Sequence, residues 1–167
     1  MNFKALLVFV MVSLPFTALA APKGNVSFGQ LKFSHAWSGG STTKTEEYVE
    51  HGQTLDNWQH LLAYRIYSGQ TDPAIVVKEY LKQIKPTQKP AIYENGRDVM
   101  LVFLMEAPDG SYTEFNIHKF TIEGGVVRSY QFAARNYERS LFELTDEIEA
   151  NKEKWMGIVG KLTAKDF

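Results

Sequence analysis

Between Ala91 and Asn136 the chain is interrupted at regular intervals by turn-forming residues: Asn95-Gly96, Pro108-Asp109-Gly110 and Gly124-Gly125. The runs between them are rich in β-branched and aromatic residues, the composition of strands. Reversals this short leave no room for a crossover, so successive runs must pair antiparallel. The pattern predicts a meander of about four strands. Within it, Val99 to Met105 is apolar at every position, which predicts a strand covered on both faces and therefore in the middle of the sheet.

The preceding residues supply further elements. From Val26 to Ser38, Leu31, Phe33, His35 and Trp37 alternate with Lys32, Ser34 and Ala36, the period of one half-buried strand. Ser38-Gly39-Gly40-Ser41 reads as a hairpin turn, and Thr43 to His51 as a second strand, polar enough to lie at a sheet edge. Thr54 is placed to cap a short helix through Leu55, Trp58 and Leu61, with Asp56 in its first turn. Tyr64, Ile66 and Tyr67 then signal a strand. Asp72 before Pro73 opens the next helix, whose apolar face is Val76, Val77, Tyr80, Leu81 and Ile84 and which Pro86 stops. After the meander, Ser140 and Glu143 form a capping box. The helix behind it carries the stripe Leu141, Leu144, Ile148, Trp155, Val159 and Leu162. The expected order is ββαβαββββα, an α+β fold with a largely antiparallel sheet and packed helices arranged as an α/β/α sandwich. Trp58 and Trp155 are expected in its core.

A different kind of segment stands at the start. Met1 to Ala20 carries one positive side chain, Lys4, then the apolar run Ala5 to Phe16, then Ala18-Leu19-Ala20 with small residues at both recognition positions. This predicts a secretory signal peptide cleaved near Ala20-Ala21. A membrane anchor needs about 20 apolar residues; this run contains Ser13 and Pro15 and gives way to the polar stretch Pro22 to Ser27, so no membrane span is expected after cleavage. Residues 21–167 are expected to form one globular domain, large enough at about 147 residues to bury a core unaided. There is no Cys, hence neither a disulfide framework nor lipid attachment at a cysteine. Lys and Arg total 18 against 19 Asp and Glu. Loss of Lys4 leaves 17 against 19, a formal charge of −2, and this balance argues against a nucleic-acid partner. The compact leader is of the bacterial kind, so a soluble product in the periplasm, or secreted, is expected.

Of the four histidines, His35, His51, His60 and His118, none has ligand spacing to another. Glu47 and His51 share a strand face but stand roughly 13 Å apart along it, too far to share one metal ion; a site joining His35 to His118 across strands stays open beside simple packing of both. The run SGGSTTKT at Ser38 to Thr45 lacks the glycine that a phosphate loop needs before its Lys-Ser/Thr pair, and no serine has the flanking glycines of a nucleophile elbow. No catalytic residue and no cofactor is predicted.

The densest feature is Glu46 to Tyr67. Its Tyr48, flanked on its own strand face by Glu46 and Glu50, is expected to be exposed, and exposed tyrosine is a common interface anchor. Arg65 and Tyr67 share one strand face, Arg128 and Tyr130 another. These five residues, Tyr48, Arg65, Tyr67, Arg128 and Tyr130, are the candidate partner-binding set, because arginine and tyrosine join apolar contact area to directed polar groups. The alternative is that both arginines lie along the sheet ends or pair with acids. The run EYVEHGQTLDNW followed by LLAYRIY resembles a motif of small, uncharacterised exported proteins of Gram-negative bacteria. The element order resembles the Mog1/PsbP/DcrB-like α/β/α sandwiches, which implies partner binding without catalysis and supplies no catalytic position. The expected function is that of a soluble periplasmic, non-enzymatic protein that binds another protein, an envelope accessory factor or a toxin-neutralising immunity protein. A small envelope hydrolase using carboxylates and a small-ligand or metal-binding protein are the alternatives.

Overall fold

The turn residues of the second half set four strands, β5 (Ala91–Asn95), β6 (Asp98–Glu106), β7 (Thr113–Glu123) and β8 (Val126–Asn136), in a computed structural model that describes residues 24–84, 86–87, 89–137 and 141–167, without the side chains of 141–143. The signal peptide and the Ser140/Glu143 capping box lie outside the described residues. The first half supplies β1 (Asn25–Phe28), β2 (Leu31–Gly39), β3 (Thr43–Glu50) and β4 (His60–Tyr67), then helix α1 (Pro73–Gln83); helix α2 (Leu141–Val159) follows β8. All strand pairs are antiparallel, in one eight-stranded sheet of order β1-β2-β3-β4-β8-β7-β6-β5. The fold is α+β with a largely antiparallel sheet.

The observed order, ββββαββββα, corrects ββαβαββββα in two places. The stretch read as one strand from Val26 is a hairpin turning at Gly29, whose φ of 61° suits glycine. The helix expected at Thr54 is a turn. Asn57 Oδ1 accepts from both the Thr54 amide (2.8 Å) and hydroxyl (3.0 Å), so the polar groups that would cap a helix close a loop instead. Trp58 is nonetheless buried, packing from this loop on Val49, Leu61, Ala63 and Ala133.

Two assignments of position also change. β6 is second from the edge rather than central, and β3 is interior rather than an edge. β6 is apolar from Val99 to Met105 because a helix packs on each side of it. Val99, Leu101 and Phe103 meet α1 through Val76 and Val77, whereas Val102 joins the larger core with Phe115, Ile117, Phe132 and α2 residues Leu144, Trp155 and Val159. α1 opens as expected, with Asp72 accepting from the Ala74 amide and Pro73 in the first turn. The far end of α2 is fixed by Lys119, whose Nζ donates to the carbonyls of Leu162 (2.6 Å) and Gly160 (3.2 Å); a cation at a helix C-terminus also suits the dipole. Phe167 returns to stack on Tyr64, with ring centroids 5.4 Å apart.

The two faces of the sheet are covered unequally. α2 and the segment after it close one face from β1 to β6. α1 has 11 residues, about 16 Å of helix, against roughly 34 Å for the width of eight strands. It packs mainly on β6 and β7 and reaches Val127 at the start of β8, and the loop carrying Trp58 covers part of β3, β4 and β8. Between them a strip of sheet stays open.

Candidate functional site: a polar groove between α1 and the Trp58 loop

Strand alternation decides what this strip displays. On β4, Leu62, Tyr64 and Ile66 point into the α2 core, so Ala63, Arg65 and Tyr67 point the other way. On β8, Tyr130, Phe132 and Ala134 face α2, leaving Ser129, Gln131 and Arg135. On β7 the same rule presents Glu114, Asn116 and His118. Among the described residues, five of the six buried polar ones, Glu114, Asn116, His118, Ser129 and Gln131, therefore lie on this one face; the sixth, Lys119, belongs to the α2 face.

Two clefts open over these residues. One, of about 320 Å³, lies against α1 and includes Thr43, Thr45, Tyr67, Ile75 and Glu79; the other, of about 420 Å³, includes Glu47, Leu55, Trp58, Glu114, Gln131 and Arg135. Arg65 and Tyr80 line both, so the two clefts adjoin at these side chains and together make up the groove between α1 and the Trp58 loop.

The floor is a network of hydrogen bonds. Arg65 Nη1 donates to Gln131 Oε1 (2.6 Å), and Gln131 Nε2 donates to Asn116 Oδ1 (2.7 Å). Arg135 donates through Nε (3.1 Å) and Nη2 (2.8 Å) to Glu114 Oε2, while its guanidinium lies 3.8 Å from the ring centroids of both Trp58 and Tyr112. That sandwich ties the Trp58 loop to the β6–β7 turn. Tyr80 Oη stands 3.3 Å from His118 Nε2. Burial first, and then the charge of Arg65, hold the His118 pKa well below the usual histidine range, so its ring is neutral. Burial pushes the Tyr80 hydroxyl up to about 12, with Arg65 partly opposing.

The structure separates the candidate residues. Arg65 and Tyr67 are in the groove. Arg128 and Tyr130 lie on the opposite face: Arg128 donates to Tyr64 Oη and to the Glu123 carbonyl (3.1 Å), and Tyr130 donates to the Glu123 carboxylate. Tyr48 is fully buried on that face, against Phe167 and His35, which corrects its expected exposure. Its acidic neighbours do not mark solvent, because Glu46 contacts His35 (3.1 Å) and Glu50 contacts His60 (2.7 Å). Tyr80, Glu47, Gln131 and Arg135 were missed. The signal available was the alternation of polar residues along β7 and β8, Glu114-Asn116-His118 and Ser129-Gln131, with Phe115, Ile117, Tyr130 and Phe132 as their apolar neighbours.

Two catalytic arrangements fail on geometry. His35, Ser38 and Glu46 meet, but Ser38 Oγ (2.7 Å) and Glu46 Oε2 (3.1 Å) both approach the same nitrogen, Nε2. A relay needs the acid on one ring nitrogen and the nucleophile on the other. His35 and His118 lie on opposite faces of the sheet, which removes the shared metal site left open from sequence. Among the described residues no group of three His, Cys, Asp or Glu side chains is placed to hold a metal ion, and no helix is long and apolar enough to cross a membrane.

No curated protein matches the chain. Residues 20–164, which include every strand, both helices and the groove, match the model of an uncharacterised family named for a Haemophilus protein, and the chain belongs to that family.

Proposed function

We propose that this is an exported, non-catalytic binding protein that receives an extended segment of another protein in the groove between α1 and the Trp58 loop. The observation that carries this reading is that the two clefts adjoin, with Arg65 and Tyr80 lining both. A long trough with a polar floor and apolar rim residues, Ile75 at one end and Leu55 at the other, suits a chain segment lying across strands. The floor groups are bonded to one another before any ligand arrives, and such preorganisation favours recognition. The leader at Met1 to Ala20 supports export to the periplasm. The observed order ββββαββββα differs from the one that resembles the Mog1/PsbP/DcrB-like sandwiches, so that likeness lends this reading no support.

One observation favours a second reading: the half against α1, about 320 Å³, is the size of a small-molecule pocket. Site-specific photocrosslinking in intact cells separates the two. A photoreactive residue at Ile75 or at Leu55 should give an adduct with the same protein, and one at exposed Tyr93 on edge strand β5 should not. Protein adducts absent from both groove positions, or equal from Tyr93, would rule out the protein-segment reading.

A further inference from the structure

The midpoint of the groove has the chemistry of an anion seat, an inference that rests on the groove being a binding site. Most charges along it are already paired: Glu79 with Lys82 at 2.6 Å, and Glu114 with Arg135 at 2.8 Å. Arg135 is also stacked on both faces. Arg65 differs. A guanidinium has five N–H donors, and among the described residues Arg65 makes one hydrogen bond, to Gln131, with its Nη2 4.0 Å from Glu47 Oε1. That separation is beyond hydrogen bonding, so Glu47 is a weak counter-ion that a better-placed carboxylate can replace.

Tyr80 adds a second donor. His118 Nδ1 is buried without a partner. A buried N–H left unpaired is rarer and costlier than a bare lone pair, so the proton of the neutral ring belongs on Nε2, where it is donated to Tyr80 Oη. The Tyr80 hydroxyl proton is then free to point into the groove. On either side of this pair each cleft offers apolar side chains among its polar ones, Ile75 and Val76 in one half and Ile84 and Met105 in the other.

We propose that Arg65 and Tyr80 together seat a carboxylate carried by a ligand segment with apolar flanks, displacing Glu47 from Arg65. The carboxylate comes either from a chain terminus or from an acidic side chain, and the two sources call for separate probes. Three short peptides serve: acetyl-alanyl-leucine with a free terminus, acetyl-aspartyl-leucinamide with an internal acid, and acetyl-alanyl-leucinamide with neither. Binding is followed by NMR through the Arg65 Nε–Hε resonance and the Ile75 methyl groups.

At least one of the two acids should bind about tenfold more tightly than the uncharged amide, the scale of one charge-assisted contact. Arg65→Gln should abolish that difference, and Arg65→Lys should keep only part of it, because a point charge lacks the fork. Glu47→Gln, which leaves Arg65 in place, should tighten the favoured acid several-fold. Equal binding of acid and amide at the Ile75 methyls would overturn the carboxylate seat while leaving the groove as a binding site. Acids that shift neither Arg65 nor Ile75 at about 10 mM, where contacts of this kind register, would also overturn it, and the crosslinking experiment decides the groove separately.

Discussion

His60 clamps α2 to the sheet and makes the stability of the fold depend on pH. Its Nδ1 is 2.7 Å from Glu50 Oε2 on β3, and its Nε2 is 3.0 Å from Glu147 Oε1 on α2. Carboxylates only accept hydrogen bonds, so both contacts are satisfied only by the imidazolium, which donates from both nitrogens. The ring is packed on Phe132 and against Trp155. That burial lowers the pKa, but the hydrogen bonds and charges of Glu147 and Glu50 outweigh it, and the net shift is upward. A raised pKa contributes stability that is complete below the ordinary histidine value near 6.5 and is lost as pH rises through the folded-state value. The neutral ring keeps one N–H and therefore one of the two bonds. A charge-assisted bond contributes roughly 1.5–3 kcal/mol. Glu147 is 40% exposed, and solvent screening brings the expected loss to about 1–2 kcal/mol. Thermal unfolding followed by circular dichroism at about pH 6 and about pH 8.5 should show it. A domain of this size moves about 2–4 °C for each kcal/mol. His60→Gln, which donates one bond at any pH, should resemble the wild type at the higher pH and be less stable than it at the lower. An equal pH dependence in both proteins, or a His60 ring that titrates at or below 6.5 by NMR, would refute the clamp.

Other expectations follow from single side chains. Trp155→Ala removes a buried ring packed on Phe132 and Phe115 and should cost about 3–5 kcal/mol in denaturant unfolding. Tyr48→Phe deletes a buried hydroxyl that has no partner, so the variant should be as stable as the wild type or up to about 1 kcal/mol more stable. Arg135→Lys loses the two-ring stack and the fork onto Glu114; it should cost about 1–3 kcal/mol and, by hydrogen exchange, loosen the Trp58 loop before the rest of the fold. The mature protein from a periplasmic fraction should begin near Ala21, and an intact Met1 form confined to the cytoplasm would exclude the leader.

Where the sequence could be read, a local rule and the tertiary structure agreed. The strands from β5 to β8 fall between the turn pairs because each turn closes a hairpin by itself. α1 begins where Asp72 and Pro73 place it. The Thr54 reading failed because the same oxygen and amide groups that start a helix also close an Asx-type loop, and only the burial of Trp58 over Ala63 and Ala133 decides between them. Trp37 escaped for another reason. The register of β2 against β3 shifts between His35 and Trp37, so a bulge turns Trp37 from the face of His35 to the opposite one, where it is 44% exposed. No change in residue alternation marks that step. The polarity of β3 marks no edge: Thr43, Thr45 and Glu47 line the open strip, while Glu46 and Glu50 meet His35 and His60 on the other face. The groove itself was half legible: Arg65 and Tyr67 stood out by type, while Gln131, Asn116 and Tyr80 matter only through neighbours far away in sequence.

That distance bears on how the protein reaches its working form. Seven strand pairings hold the sheet, and six of them join strands adjacent in the chain, each a hairpin with a short loop to close. The seventh, β4 with β8, pairs residues such as Leu62 with Phe132, across a loop that includes α1 and three strands. Closing it carries the larger entropic cost and belongs late in folding. Arg65 and Gln131 face each other across this seam. Two separate four-stranded ladders would already have most of the secondary structure and still present half a floor each. In refolding, circular dichroism should therefore recover ahead of any signal from the groove, and recovery of both at one rate would show that the ladders do not form first. Until the seam closes, the Arg65–Gln131–Asn116 floor does not exist.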